Sequence, residues 1–378
     1  MDPKKKFQMF TQNQNFCVVP WTNCEILADG TIKTCSLGRT KLGNLHEKSF
    51  DEILNDQPIK KIKQNLLNNK PDSNCVRCQV RQISEDKFEH LRGHYNNMLR
   101  KQDVDYENID AFDMHFIDLH WSNICNLRCT MCNPVKSSLI AKDQNVFITP
   151  INNDVIDSII KKVVANQYKM QEVYLSGGEP FYIPANIKLL ESISNKNIPI
   201  RINTNMHWQK NNRLYKILKT FNNVQLTMSC DALNKKFDYI RTGGDWKKFK
   251  EMFEYVRNDT NFDIRVNMIF SVQNAMDVSY NIRYFYYDQN IKDITINLLD
   301  DPEELSANNY PENKKQVVID DLNKLLSEIP KGNKNLQAQI KLCLERIMLP
   351  NKFDYKSKMD EIYSRYERPW TQIHEDLA

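Results

Sequence analysis

Between residues 111 and 300, six short β-branched runs alternate with amphipathic helical stretches, and that alternation leaves few folds open. The runs are Asp113 to Trp121, Glu172 to Leu175, Ile200 to Thr204, Val224 to Met228, Asp263 to Phe270 and Ile294 to Leu298. Ile156, Ile159, Ile160, Val163 and Val164 repeat at helical spacing behind a cap at Asn153 or Asp154. Pro184 suits the first turn of the next helix, with Ile187, Leu190 and Ile193 inward. Leu214, Ile217, Leu218 and Phe221 mark the third helix; Trp246, Phe249, Phe253 and Val256 mark the fourth. Strands alternating with helices pair in parallel through right-handed crossovers. The expected class is α/β, as an open doubly wound sheet or a partial barrel.

The motif positions favour the barrel. Cysteines follow the first run, and S-G-G-E-P follows the second. Thr204-Asn205 ends the third and Ser229-Cys230-Asp231 the fourth. Ser271 to Asn274 ends the fifth and Asp300-Asp301 the sixth. Chemistry in parallel α/β folds gathers at the carboxyl ends of strands.

Cys125, Cys129 and Cys132 stand as C-x3-C-x2-C in W-S-N-I-C-N-L-R-C-T-M-C. A closed zinc or iron–sulfur site wants four protein ligands. A cluster held by three keeps one iron free, which a catalytic cofactor needs and a structural one avoids.

Together, C-N-L-R-C-T-M-C and S-G-G-E-P resemble the radical S-adenosylmethionine superfamily. The resemblance implies a partial (β/α)6 TIM-like barrel over 111–300 and a [4Fe-4S] cluster on Cys125, Cys129 and Cys132. It further implies that the open iron chelates S-adenosylmethionine, whose reductive cleavage gives a 5′-deoxyadenosyl radical that abstracts hydrogen. Gly177, Gly178 and Glu179 match the element that receives the methionyl amino group. Met131 stands where the family usually places an aromatic residue near the adenine. The stretch L-T-M-S-C-D-A-L-N-K-K-F-D-Y-I-R resembles the family's strand-four segment. Ser229 or Asp231 would then face the ribose, and Arg241 the methionyl carboxylate; the plainer alternative is a capping Asp231 and a surface Arg241. Thr204 and Asn205 either contact the cofactor or close a turn. Asn274 reads as a cap, Cys230 and Cys343 as packing, and Asp118 with His120 as a satisfied core or rim pair.

A second cysteine set precedes this region. Asp29-Gly30 between two apolar runs signals a hairpin that brings Cys17 or Cys24 towards Cys35. Cys75-x2-Cys78 supplies a close pair, and four such thiolates accept either zinc or a [4Fe-4S] cluster. The order Cys, D-G-x-I-x-x-C, G-N, short helix, C-x-x-C resembles the twitch or SPASM module. That implies an auxiliary [4Fe-4S] cluster on Cys17, Cys35, Cys75 and Cys78, with Cys24 in place of Cys17 as the alternative. Residues 1–110 then form a small cysteine-rich twitch domain, and 301–378 a helical C-terminal extension. A reductant such as flavodoxin or ferredoxin is implied, and a peptide or protein substrate is favoured over a small metabolite.

The remaining features set bounds. Ten cysteines in 378 residues with no signal-like start point to metal or catalysis in the reducing cytoplasm rather than disulfides. No run reaches the length of a membrane span. A net charge of +4 is mild, and mixed charges around Lys60-Lys61, Lys63 and Lys247-Lys248 read as solvated faces rather than a nucleic-acid surface.

Overall fold

The computed structural model describes residues 2–79, 91–365 and 369–377. The chain forms two compact units. The first comprises Met1–Ile124, Pro134–Ile202 and Asn211–Val224; the second comprises Cys125–Asn133, Asn203–Lys210 and Gln225–Ala378.

In the first unit, β1 (Glu25–Leu27) and β2 (Thr31–Lys33) form the expected hairpin. Gly30 turns it with φ of +80°, a conformation that side chains resist. The short β3 (Gly43–Asn44) pairs with β2. On its other side β1 pairs in parallel with β4 (Phe116–His120), and β4 with β6 (Glu172–Leu175). The next pairing joins β6 to β7 (Ile200–Thr204) through Ile200 to Ile202. The cysteine hairpin therefore extends the same parallel array rather than standing apart as a separate sheet. Sequence periodicity does not reveal this, because pairing partners are set by tertiary contact.

The expected first strand is shorter at both ends. Asp113 and His115 donate their backbone N–H groups to Trp21 and Thr22 before the ladder begins. Every residue of β4 is buried, including Asp118 and His120. The helix Asn153–Asn166 buries Ile159, Ile160 and Val163, but its cap is Asn152, one residue earlier than expected. In the helix Pro184–Ser192 the buried positions are Asn186, Leu189 and Leu190, so Leu189 takes the inward place expected of Ile187.

In the second unit, β8 (Val224–Ser229), β10 (Asp263–Phe270) and β11 (Ile294–Leu298) pair in parallel. Two short strands, β5 (Arg128–Cys129) and β9 (Arg241–Thr242), pair antiparallel. The helix Trp246–Asp259 lays Phe249, Phe253 and Val256 into the core, capped by Asp245. Helices Glu312–Glu328, Lys334–Met348 and Tyr355–Ser364 complete the unit. Cys343 is fully buried among Ile340, Leu344 and Ile347 of its own helix face, the packing role expected of it. Among the described residues no helix is long and apolar enough to cross a membrane.

Candidate cysteine-cluster site

The loop bearing Cys125, Cys129 and Cys132 is fastened inside the second unit. Cys129 sits in β5 directly opposite Arg241 of β9. Thr130 donates its N–H to the Ile240 carbonyl, and Cys132 folds back to donate to the Cys129 carbonyl. All three residues are half-buried. Burial pushes the Cys129 thiol up, Arg241 pulls it down, and the negative charges of Cys132 and Cys125 add to the rise. Three thiols beside one guanidinium are a donor set that an iron–sulfur cluster accepts on losing their protons.

Arg241 and Asp231 are neither surface residue nor helix cap. Both are buried and lie 2.8 Å apart as an ion pair. A second Arg241 nitrogen reaches the Cys129 sulfur at 3.6 Å. Burial works against the guanidinium's charge, but Asp231 and the neighbouring thiols hold it protonated. Asp231 also accepts the Ile269 N–H at 2.8 Å. Asn274 is spent on structure: it accepts from Ser271 N–H and donates to the carbonyls of Asp231 and Ile269. Cys230 is fully buried and donates to the Ala232 carbonyl. Ser229 ends β8 half-buried, and Met131 is likewise half-buried between Thr130 and Cys132.

Thr204 and Asn205 close a turn. The Thr204 hydroxyl accepts from Met206 N–H and from the Trp208 indole. Asn205 accepts from His207 N–H and donates to Asn126, which in turn donates to the His207 carbonyl. Asn126 lies in the cysteine loop, so Asn205 also steadies that loop.

A buried chain of polar groups supports the same loop from the C-terminal segment. The Thr130 hydroxyl donates to Gln273 at 2.6 Å, and Gln273 accepts from it while donating to the Tyr363 hydroxyl at 2.8 Å. His374 stands 3.4 Å from that hydroxyl. No motif marks Gln273, Tyr363 or His374, and only the fold joins them to the cysteine loop.

In the first unit, Ser176 to Pro180 turns beneath Ser122 to Ile124. Gly177 has φ of +107°. A side chain at Gly178 would put its Cβ 2.1 Å from the Ile124 carbonyl oxygen. Only glycine fits there. Gly178 and Glu179 donate their N–H groups to the Ser122 and Ile124 carbonyls. The buried Glu179 carboxylate accepts from Phe181 N–H at the next turn. Asn186, which sequence reasoning passed over, holds this corner by accepting from the Trp121 indole and donating to the Pro180 carbonyl.

The N-terminal cysteines separate into two environments in the first unit. Burial pushes the Cys17 thiol well up, helped by the charges of Cys75, Cys78 and Cys35. Cys75 is likewise pushed up to about 12 by burial, then by Cys35 and Cys78. Cys24 is raised by burial and then by Asp118 and Glu25, with no cysteine among its neighbours in charge. Cys17 and Cys75 thus each feel the charges of Cys35 and Cys78, whereas the Cys35 thiol itself, like Cys24, is raised by burial with Glu25 and Asp118. Asn96 brackets Cys17 by accepting from Val18 N–H and donating to the Phe16 carbonyl. Asn74 ties the loop after Cys35 to Cys75 by accepting from Thr40 N–H and donating to the Thr34 hydroxyl. Among the described residues no three His, Cys, Asp or Glu side chains are drawn in around a single metal ion.

Asp118 and His120 are not the satisfied pair expected. Burial pushes the Asp118 carboxyl up to about 8, against Arg201 and Lys33 and with Glu25 and Glu172. Burial lowers His120 to about 4, although Glu25 works to raise it. Folded Asp118 therefore keeps a proton that the unfolded chain has released above its ordinary value near 3.9, so stability falls as pH rises towards 8. His120 acts only below its ordinary value near 6.5, where the unfolded chain takes up the extra proton. Urea unfolding midpoints are thus expected to decline between about pH 6.5 and 8. Asp118→Asn is expected to flatten that decline; an unchanged slope in the variant would refute the assignment.

Residues 119–270 match the Radical SAM superfamily, and residues 17–79 match the SPASM iron-sulfur cluster-binding domain. The chain thus carries a radical SAM domain and, ahead of it, a SPASM iron-sulfur cluster-binding domain. A radical SAM domain implies a [4Fe-4S] cluster and S-adenosylmethionine, and a SPASM domain implies an auxiliary iron–sulfur cluster. No curated protein matches the chain. Similar solved structures include native anSMEcpe with bound AdoMet, at 20% identity and a TM-score of 0.40 over 56% of this chain and 58% of that one. Native anSMEcpe with bound AdoMet and Cp18Cys peptide gives 19% and 0.42 over 58% and 61%. Streptococcus suis SuiB bound to precursor peptide SuiA gives 17% and 0.40 over 66% and 54%. The chain spans less than two thirds of each of these chains.

Proposed function

We propose that this protein is a radical S-adenosylmethionine enzyme that abstracts hydrogen from a peptide or protein substrate. The observation that carries the reading is Cys125, Cys129 and Cys132 on one loop fastened to β9, inside the stretch that matches the radical SAM domain. When bound, a three-cysteine [4Fe-4S] cluster with S-adenosylmethionine supplies one-electron cleavage of the sulfonium to a 5′-deoxyadenosyl radical.

The chain's own residues do the rest. Cys125, Cys129 and Cys132 hold the cluster and leave one iron open. Arg241 offsets the thiolate charge at Cys129 and is itself held by Asp231. Carbonyls of Gly177 and Gly178 and the Glu179 carboxylate receive the methionyl ammonium. Met131 packs on the adenine, and Ser229 faces the ribose. Thr204 and Asn205 contribute by fixing the turn and the cysteine loop. Cys17, Cys35, Cys75 and Cys78 hold the auxiliary cluster. The functional division is a cluster-binding segment 1–110, a radical segment 111–300 and a helical segment 301–378. Electrons come from a flavodoxin- or ferredoxin-type reductant in the cytoplasm. The peptide or protein class is favoured by the SPASM-type module, because several proteins with such modules modify peptides.

Anaerobically reconstituted, dithionite-reduced protein is expected to form 5′-deoxyadenosine from S-adenosylmethionine, measured by mass spectrometry. Reduced, cluster-loaded protein that forms none would refute the function.

A further inference from the structure

A row of polar residues crosses the first unit's sheet. The pairing register sets Lys33, Glu25, Asp118, Tyr174 and Arg201 side by side on β2, β1, β4, β6 and β7. Cross-strand partners share a face of the sheet, so these side chains stand on one side. His120 follows two residues after Asp118 and shares that face. This is the end of β4 nearest the Ser176–Pro180 turn, since a Cβ on Gly177 would lie 3.1 Å from His120 Cα.

The polar groups in this row are not all satisfied. Lys33 pairs with Glu25 at 2.8 Å, and Arg201 pairs with Glu172 at 2.9 Å. Arg201 also lies over the Tyr174 ring, 3.9 Å from its centroid. Both cations are thereby committed. Asp118 has no ion pair, only 2% of it is exposed, and its Oδ1 meets no hydrogen-bond donor. His120 is 8% exposed; its Nε2 points into the cluster, 3.6 Å from Glu25 Oε1, and forms no hydrogen bond. Glu25 and Glu172 thus take up the two cations, and Asp118, kept protonated by burial, is left without a partner, while Lys136 also acts on His120 from outside the row. A carboxylate buried without a partner is costly, whether it stays charged or takes a proton.

We propose that Asp118, with Glu25 and His120, binds an organic cation, an alkylammonium or guanidinium group. Its N–H donors would satisfy Asp118 Oδ1 and the neutral His120 Nε2, and its charge would replace the proton that Asp118 otherwise keeps. Such a group has several donors on one positive centre and needs no closed oxygen cage, unlike a hard divalent metal. Its position below the Ser176–Pro180 turn suits a side chain of the substrate, a lysine-like or arginine-like group. That the cation belongs to the substrate rests on the proposed function; that the site binds it does not.

The test uses reconstituted protein with n-butylammonium, methylguanidinium and uncharged 1-butanol as probes, read by titration calorimetry and thermal unfolding. The wild-type protein is expected to bind one or both cations and not the alcohol. The tighter cation tells whether the site suits a lysine-like or an arginine-like group. Asp118→Asn is expected to weaken binding on the order of tenfold or more, the scale of one buried charge-assisted hydrogen bond. Equal response to cation and alcohol, or full binding by Asp118→Asn, would show a proton-sharing structural cluster and overturn the proposal. If Asp118→Asn does not fold, Glu25→Gln and the wild-type preference for cation over alcohol decide. Measuring 5′-deoxyadenosine on the same wild-type sample separates the two ideas. Cation binding without it leaves the site standing and sinks the function; the reverse sinks the site alone.

Discussion

Cys129→Ala is expected to remove one cluster and leave the other. Reconstituted wild-type protein should carry about eight irons per chain as two [4Fe-4S] clusters, and Cys129→Ala about four. Formation of 5′-deoxyadenosine should disappear with the lost irons. Cys35→Ala should also bring iron to about four, yet keep a trace of S-adenosylmethionine cleavage, because its loss falls on the N-terminal group. The contrast follows from the two separate electrostatic groups of thiols, one around Cys129 and one around Cys17 and Cys75. Cys24→Ala should change neither count, since Cys35 and Cys78 act on both Cys17 and Cys75 and Cys24 acts on neither. Equal iron and equal product in Cys129→Ala and wild type would refute the ligand assignment.

Arg241→Ala is expected to cost about 3–5 kcal/mol of stability, the penalty for leaving a buried charge unpaired. Asp231 is 1% exposed and would lose its ion-pair partner 2.8 Å away. The double variant Asp231→Asn/Arg241→Ala should recover much of the loss, because it removes the stranded charge along with its partner. Urea unfolding of the three proteins measures this directly. A loss below about 1 kcal/mol in the single variant would mean that the pair is solvent-relaxed rather than buried. Arg241→Ala should also shift the reduction potential of the neighbouring cluster downward, since a positive charge 3.6 Å from the Cys129 sulfur favours the reduced, more negative state. Merely structural damage would lower stability without moving the potential.

Much of the strand arrangement was legible in the residues. Four of the six expected strands have the bounds read from β-branched runs, because residues alternately buried and half-exposed give a two-residue period that a helix does not show. The Asp29-Gly30 hairpin was legible for a different reason: a positive φ at Gly30 is a local demand. The cysteine loop and the glycines at 177 and 178 were legible because their chemistry or close approach tolerates few residue types. What could not be read were the partners that one residue finds far along the chain. Asn186, Asn96, Asn74 and Gln273 each satisfy buried backbone or side-chain groups distant in sequence. An isolated Asn or Gln carries no periodic signal.

Arg241 and Asp118 show the same limit at the site itself. The family pattern set Arg241 towards the methionyl carboxylate, with a surface arginine as the plainer alternative, and Asp118 read as a satisfied acid. Pairing of β5 with β9 places Arg241 against Cys129, and the register of β1, β4 and β6 places Asp118 among charges already committed to others. Sequence alone determined the strand order of appearance, the hairpin and the identity of the cysteines, because these depend on local backbone preference and on donor chemistry. Tertiary structure alone decided which thiols share a charge environment, which ion pair is buried and which carboxylate is left unpaired. Those depend on desolvation and on distances between residues that the chain keeps far apart.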